Sequence, residues 1–177
     1  MGQEKGLMLL NSKPLISYAI DALFPLVDEL IVVANDDAYN ELGHKVVPDL
    51  IPDSGPLGGV YTGLQHSQTD INLVLSCDTP FVSTGLMRYL LTKMDQQEVV
   101  VARHQQGIEP LAAVYHKSCL PKLKSLIDQG DLKMRFAIRQ LKFLEVEMNE
   151  QLDFYSDNLF DNLNTPESLR QAEQRLT

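Results

Sequence analysis

The sequence lacks the features that mark secreted, membrane-spanning or metal-framework proteins. It has two cysteines in 177 residues, Cys77 and Cys119, and they form no Cys-x-x-Cys pair. Two cysteines are too few for a metal framework, so we expect buried thiols in a reducing compartment. No apolar run approaches the ~20 residues that span a bilayer, and the amino terminus has no signal-peptide pattern. We therefore expect a cytoplasmic protein without membrane contact.

The chain also has few basic residues. Fifteen Lys and Arg stand against 24 Asp and Glu, which gives a formal net charge of -9. Proteins that bind nucleic acid generally neutralise phosphates with clustered Lys and Arg, so this balance argues against such a partner. A single nucleotide needs only a local site and is compatible with it. No linker, repeat or low-complexity tract divides the chain, so residues 1–177 are expected to form one domain.

Apolar runs rich in β-branched residues alternate with segments of helical period. This alternation predicts βα units and a mostly parallel sheet with helices on both faces. The expected strands are 29–34, 45–47, 71–77, 98–102, 111–115 and 142–146. The last two are expected late in the fold, with an antiparallel edge as one option.

Capping residues predict where the helices begin and end. Ser12 is expected to cap the first helix, with Pro14 in its first turn. Later helices are expected at 56–66, 84–94 and 117–128, the last one ending at Gly130. Thr165 is expected to cap the final helix, which starts at Pro166.

Two glycine-containing segments have residues suited to binding phosphate. Lys5 lies beside Gly2 and Gly6, where a mobile cation can neutralise a polyphosphate, although a solvated terminal lysine is the simpler interpretation. Residues 49–59 contain three glycines within five residues, where a loop enters a helix. Glycines at such a point let the backbone approach a ligand and direct amide N–H groups at an anion. A tight loop that feeds a closely packed helix is the alternative.

Two further segments follow expected strand ends, where open α/β sheets bind ligands. Asp78 comes directly after the strand at 71–77, with Pro80 two residues later. A carboxylate there can hold a divalent cation against phosphates, or it can cap the turn. Asn162 and Asn164 alternate just before the last helix. They can orient a ligand or serve as cap and turn residues.

These motifs, in this order, resemble the molybdenum cofactor guanylyltransferases. Residues 1–6 (MGQEKG) match the end of that family's Gly-rich loop, and residues 11–15 (NSKPL) resemble its Gly-Lys-Pro-Leu segment. Residues 55–59 (GPLGG) match its Gly-Pro-Leu-Ala-Gly segment. The other matching segments are 32–35 (VVAN), 77–81 (CDTPF), 109–115 (EPLAAVY) and 162–166 (NLNTP). The resemblance covers essentially the whole chain.

The resemblance implies a three-layer α/β/α Rossmann-like nucleotidyltransferase fold and a magnesium-dependent enzyme. Such an enzyme transfers GMP from GTP to molybdopterin and releases pyrophosphate. Other molybdenum cofactor biosynthesis proteins and acceptor molybdoenzymes are its implied transient partners. The implied site residues are Lys5 for the GTP phosphates, Asn35 and Asp49 for guanine and ribose, Gly55 and Gly59 for close approach of the nucleotide, Asp78 for Mg²⁺, and Asn162 and Asn164 for the pterin side.

One departure from the family pattern affects both fold and function. The family opens with a strand and a Gly-Gly loop, of which this sequence has only the end, starting at Met1. We therefore expect a further upstream strand, because residues 7–10 (LMLL) are too short and too close to the first helix to reach the sheet centre. Two other functions remain open. One is a cytidylyltransferase acting on the same pterin or on a sugar or polyol phosphate, and the other is a truncated, non-catalytic relative.

Overall fold

The structure, a computed structural model, describes residues 4–176 and has helices on both faces of its sheets. The strands within residues 4–176 are β1 Leu9–Leu10, β2 Lys13–Pro14, β3 Ile31–Val33, β4 Lys45–Val47, β5 Ile71–Leu75, β6 Val99–His104, β7 Gly107–His116 and β8 Phe143–Glu147. The α-helices are α1 Leu15–Leu23, α2 Gly55–His66, α3 Thr84–Leu91, α4 Leu120–Gln129, α5 Met134–Arg139 and α6 Pro166–Leu176. No helix in the described residues is long and apolar enough to cross a membrane.

The strands pair in three separate sets. β1 and β2 form a short antiparallel ribbon, β3 and β4 are parallel, and the main sheet has the order β5-β7-β6-β8. Strand β7 is antiparallel to both of its neighbours, whereas β6 and β8 are parallel. The expected later strands are therefore present, but the antiparallel strand lies inside the sheet and not at its edge. The long hairpin β6–β7 causes this, because adjacent strands joined by a tight turn pair antiparallel.

Alternate side chains of the central strands enter two different cores. Val99 and Val101 pack with α2, α4 and α5 on one face. Val100 and Ala102 pack with α3 on the other face, together with Leu23 at the end of α1. Because successive strand residues point to opposite faces, one apolar run fills both cores. This arrangement confirms the three-layer α/β/α architecture.

The expected caps were right at two helices and wrong at one. Helix α4 ends at Gly130, which has a φ of +78°, and Thr165 Oγ1 accepts a hydrogen bond from Ser168 N at 3.1 Å at the start of α6. Ser12, in contrast, does not cap α1. Asn11 and Ser12 have φ values of +50° and +61° and form the turn between β1 and β2. Asn tolerates the left-handed region, so a tight hairpin turn forms at this point instead.

Candidate functional site

The predicted site residues come together above the carboxyl ends of the strands. Asn35 follows β3, Asp49 follows β4, and Asp78 follows β5. Ala34 and Cys77 pack in one cluster with Leu7, so β3 and β5 end on the same side of the molecule. Ligands bind outside the carboxyl ends of strands in open α/β sheets.

Asn35 and Asp49 form a reciprocal pair. The Asn35 side-chain amide donates to Asp49 Oδ2 at 3.0 Å, and Asp49 N donates to Asn35 Oδ1 at 2.9 Å. Asp49 Oδ1 is buried and has no hydrogen-bond partner among the described residues. A Cβ built on Gly59 would lie 4.0 Å from this oxygen. The pair thus fixes a carboxylate whose second oxygen is free to accept hydrogen bonds in front of Gly59.

The loop that leads into α2 is fixed to that helix at its start. Leu50 N donates to Thr62 Oγ1 at 3.0 Å, and Thr62 is fully buried in α2. Gly55, the first residue of α2, has a φ of +53°, and no atom lies within 4 Å of a Cβ built on it. Glycine is favoured there by the backbone conformation and not by lack of space. The loop can therefore present its amides to an anion without crowding by a side chain.

Lys5 and Asp78 are each joined to the segment that holds the two asparagines. Lys5 Nζ donates to Asn164 Oδ1 at 2.9 Å. Leu163 N donates to the backbone carbonyl of Asp78 at 2.9 Å, and the Ser76 hydroxyl donates to the Asp78 carboxylate. The bonds of Lys5 to Asn164 and of Leu163 to Asp78 bring residues that lie more than 80 positions apart in sequence into one group.

Besides the space in front of Asp49 Oδ1 and Gly59, a second cavity, of about 520 Å³, opens beside Asp78. Its polar lining includes Asp78, Asn162, Glu109, Lys133 and Arg135. Lys133 and Arg135 were not predicted from the sequence. Their signal was a pair of basic residues two positions apart just after the Gly130 cap. The Arg135 guanidinium lies against Gly107, where a Cβ would be 3.1 Å from it.

A bulge in β7 shapes the wall of this second cavity. The register of β6 and β7 shifts between Val101 and Ala102, so residues 110–112 have no partner in β6. Tyr115, which is fully buried, donates from its hydroxyl to the carbonyl of Pro110 at 2.8 Å and holds the bulge closed. Glu109 is bonded to His104 at 2.7 Å. Bulges redirect side chains at the edge of a site, and this one turns residues 108–112 toward the cavity.

The cysteines have the properties of unreactive thiols. Cys119 is buried, and burial raises its pKa to about 12. Burial also raises the pKa of Cys77 to about 11, and the negative charge of the adjacent Asp78 adds to this. The thiolate is the nucleophilic form of cysteine, so neither side chain is suited to covalent catalysis at neutral pH.

The sequence matches the model of the MobA-like NTP transferase domain over residues 1–146. The chain belongs to this family. It is 36% identical over 167 residues to the probable molybdenum cofactor guanylyltransferase of Flavobacterium johnsoniae, and the match covers 93% of this chain and 88% of that protein. It is also 36% identical to the molybdenum cofactor guanylyltransferase of Vibrio parahaemolyticus, over 98% of this chain and 88% of that protein.

The solved structures support the same fold. The molybdopterin-guanine dinucleotide biosynthesis protein A of Archaeoglobus fulgidus superposes with a TM-score of 0.83 over 99% of this chain and 91% of that one. Its sequence is 24% identical to this chain, so the superposition supports the fold only. The match to the family model and the two relatives confirm the resemblance to the molybdenum cofactor guanylyltransferases that the motifs indicated. Met1 and Gly2, which the resemblance assigned to the nucleotide loop, lie outside the described residues.

Proposed function

We propose that this protein transfers GMP from GTP to a molybdopterin phosphate and releases pyrophosphate. The observation that carries the proposal is the Asp49 carboxylate. Asn35 donates to its Oδ2 and accepts from the Asp49 backbone N–H, while Oδ1 stays buried and has no partner among the described residues. A buried acceptor without a partner is unfavourable unless a ligand supplies a donor. Both curated relatives described above are named as guanylyltransferases, one of them as probable.

Guanine fits this acceptor better than the other bases do. Its N1–H and exocyclic N2–H point the same way, and a carboxylate can accept from both. Adenine and cytosine present an acceptor nitrogen next to their amino group, which would face the Asp49 carboxylate with unfavourable electrostatics. Gly59 leaves room in front of Asp49 Oδ1 for the flat base. A site built to bond one edge rejects bases that leave its polar groups unpaired.

Lys5 and Asp78 are suited to the triphosphate. Lys5 supplies a cation next to the strand ends, and Asn164 fixes its direction. No group of three or more His, Cys, Asp or Glu side chains in residues 4–176 is arranged to hold a metal ion. A lone carboxylate such as Asp78 suits Mg²⁺, which is commonly bound by one or two carboxylates together with substrate phosphates. When bound, the ion would neutralise charge on the phosphates.

We expect the acceptor phosphate to bind in the second cavity. Lys133 and Arg135 provide positive charge there, in a chain whose net charge is -9. Asn162 lines the same cavity beside Asp78, so a phosphate bound there would lie next to the metal-binding carboxylate. We therefore expect the pterin phosphate to bind in this cavity, next to Asp78.

The reaction then requires positioning and neutralisation of charge. An oxygen of the pterin phosphate attacks the α-phosphorus of GTP, and the bond from that phosphorus to the β-phosphate oxygen breaks. Lys5 stabilises negative charge on the phosphates, and Lys133 and Arg135 orient the attacking group. The product, a dinucleotide cofactor, leaves for proteins that use it. We therefore infer transient contacts with other molybdenum cofactor biosynthesis proteins and with acceptor molybdoenzymes.

Calorimetric titration with GTP, CTP and ATP in the presence of Mg²⁺ tests the base preference. We expect GTP to bind at least about tenfold more tightly than either competitor, because one well-made hydrogen bond to a charged group contributes about 1.5–3 kcal/mol. Tighter binding of CTP would favour the cytidylyltransferase alternative. Binding of GTP without any turnover when molybdopterin is also supplied would favour the non-catalytic alternative.

A further inference from the structure

Glu109 is a carboxylate in the wall of the second cavity that the proposed reaction leaves without a role. It belongs to β7, directly before the bulge at residues 110–112, and is partly buried. No ion pair in the described residues joins it to Lys133 or Arg135, the two cations of the same cavity. A carboxylate repels a phosphate. Glu109 is therefore suited to a different part of the ligand than the anion.

His104 fixes the direction of this carboxylate. Its Nε2 lies 2.7 Å from Glu109 Oε1, and because a carboxylate oxygen only accepts, His104 donates. Such a short distance is typical of a hydrogen bond to a charged group. The imidazole also packs against Phe160, with 4.9 Å between the ring centroids. Phe160 comes two residues before Asn162, so His104 contacts both the Glu109 wall and the segment that carries Asn162.

The second oxygen of Glu109 is open to a ligand. Oε2 makes no hydrogen bond to any described residue, whereas Oε1 is bonded to His104. Asp49 has the same arrangement, because Asn35 binds one of its oxygens and the other has no partner among the described residues. One oriented carboxylate thus lies in front of Gly59, and another lies in the second cavity.

Apolar residues form much of the remaining wall of this cavity. Those that line it beside Glu109 are Ile108, Pro110, Leu111 and Met134. Apolar walls with a few polar groups suit a flat ring, because the walls cover its faces while the polar groups bond its edge. The volume of about 520 Å³ is also that of a small-molecule site. The cavity therefore fits a flat ring that carries hydrogen-bond donors on one edge and an anionic substituent.

We propose that Glu109 recognises the pyrimidine edge of the pterin and that His104 is its positioning residue. The 2-amino-4-oxopyrimidine ring of a pterin carries its N3–H and an N–H of its 2-amino group on one edge. A carboxylate accepts from both, and the bond from His104 does not prevent this, because each carboxylate oxygen has two lone pairs. The inference rests on the proposed function, since it takes a pterin phosphate as the acceptor substrate.

This contact selects the ring of the acceptor substrate. A lumazine has a carbonyl oxygen where a pterin has its 2-amino group, so it presents an acceptor to the Glu109 carboxylate. A site built to bond one edge rejects an analogue that leaves its polar groups unpaired. The phosphate group is the same in both ligands, and its contacts with Lys133 and Arg135 do not distinguish them. The difference in affinity between pterin and lumazine therefore reports on Glu109.

Fluorescence titration with 6-hydroxymethylpterin monophosphate and 6-hydroxymethyllumazine monophosphate tests the proposal, because both rings fluoresce. We expect the unchanged protein to bind the pterin at least about tenfold more tightly, the effect of one hydrogen bond to a charged group. Glu109→Gln should reduce this preference to about twofold or less. Arg135→Gln should weaken both ligands equally and keep the preference. Glu150→Gln, at an exposed carboxylate, is the control and should change neither affinity.

Two variants of His104 test its role as a positioning residue. His104→Ala removes the donor to Glu109 and should lower the preference for pterin by several-fold, while GTP affinity stays unchanged. His104→Gln still carries an N–H donor and should keep most of the preference. Equal loss in both variants, or none in His104→Ala, would overturn the positioning role.

The same titrations separate this inference from the proposed function. Equal binding of the two ligands by the unchanged protein, or an unchanged preference in Glu109→Gln, would overturn the role of Glu109. Displacement of the pterin by saturating GTP would also overturn it, because the pterin would then occupy the site at Asp49. A preference for pterin that depends on Glu109, in a protein that does not bind GTP, would contradict the proposed function and still support the role of Glu109.

Discussion

The Asn35 side chain makes two hydrogen bonds to Asp49, one to its carboxylate and one from its backbone N–H, although the two residues belong to loops that follow different strands. The parallel pairing of β3 and β4 brings these loops together, with Val33 opposite Val47. The arrangement leaves Asp49 Oδ1 as the buried acceptor on which the proposed base recognition depends.

The first prediction concerns base selectivity. Asp49→Ala should weaken GTP binding by about tenfold to a hundredfold, since a hydrogen bond to a charged group contributes about 1.5–3 kcal/mol. It should change binding of purine riboside triphosphate much less, because that base lacks both guanine donors. Titration calorimetry measures both. Asp53→Asn removes an exposed carboxylate from the same loop and is the control. Equal losses for the two nucleotides would assign Asp49 a purely structural role.

The second prediction is that Asn35 acts through Asp49. Asn35→Ala should weaken GTP binding by several-fold, because the carboxylate loses the donor that orients it. The double variant should then be no weaker than Asp49→Ala alone, since residues that share one interaction are not additive. Asn40→Ala, an exposed asparagine nearby, is the control. Strictly additive losses in the double-mutant cycle would show that the two side chains act separately.

The third prediction addresses the proposed metal-binding carboxylate. Asp78→Asn should lower turnover at saturating Mg²⁺ by about a hundredfold or more while the protein stays folded. Removing one contact to transition-state charge typically costs about 3 kcal/mol. Asp157→Asn, at an exposed carboxylate, should leave turnover unchanged. If Asp78→Asn keeps normal turnover with Mg²⁺ present, Asp78 has no part in the reaction.

The fourth prediction follows from the raised thiol pKa values. Cys77 has a pKa of about 11, so about one thiol in a thousand is ionised at pH 8. Iodoacetamide should therefore label the folded protein slowly at pH 8 and much faster as the pH rises toward 11, because a raised pKa delays formation of the thiolate. Mass spectrometry of peptides containing Cys77 and Cys119 measures this. Rapid labelling at pH 8 would contradict the assignment of both as inert thiols.

Much of the fold could be predicted because its signals are local. The apolar β-branched runs that became β5 and β6, and the cap at Gly130, were visible in short windows of sequence. The position of the antiparallel strand was not, because strand order depends on how β7 folds back on β6. Ser12 was misassigned as a cap because a tight turn with Asn11 competes for the same residues.

The site was predictable only where motifs mark it. Asn35, Asp49 and Asp78 follow strands and lie where the motifs placed them. Lys133 and Arg135 belong to no recognisable sequence motif. The cavity that they line depends on the β7 bulge and on packing of Arg135 against Gly107. Long-range packing of this kind leaves no periodic pattern in the sequence.

Transfer of the α-phosphate is the most direct test of the proposed reaction. Nucleoside triphosphates labelled at the α-phosphorus are incubated with the protein, Mg²⁺ and molybdopterin, and the label is followed by chromatography. We predict that label from GTP, and not from CTP or ATP, appears in a pterin dinucleotide with one pyrophosphate released per transfer. Transfer from CTP in preference to GTP, or no transfer from any of the three nucleotides, would contradict the account.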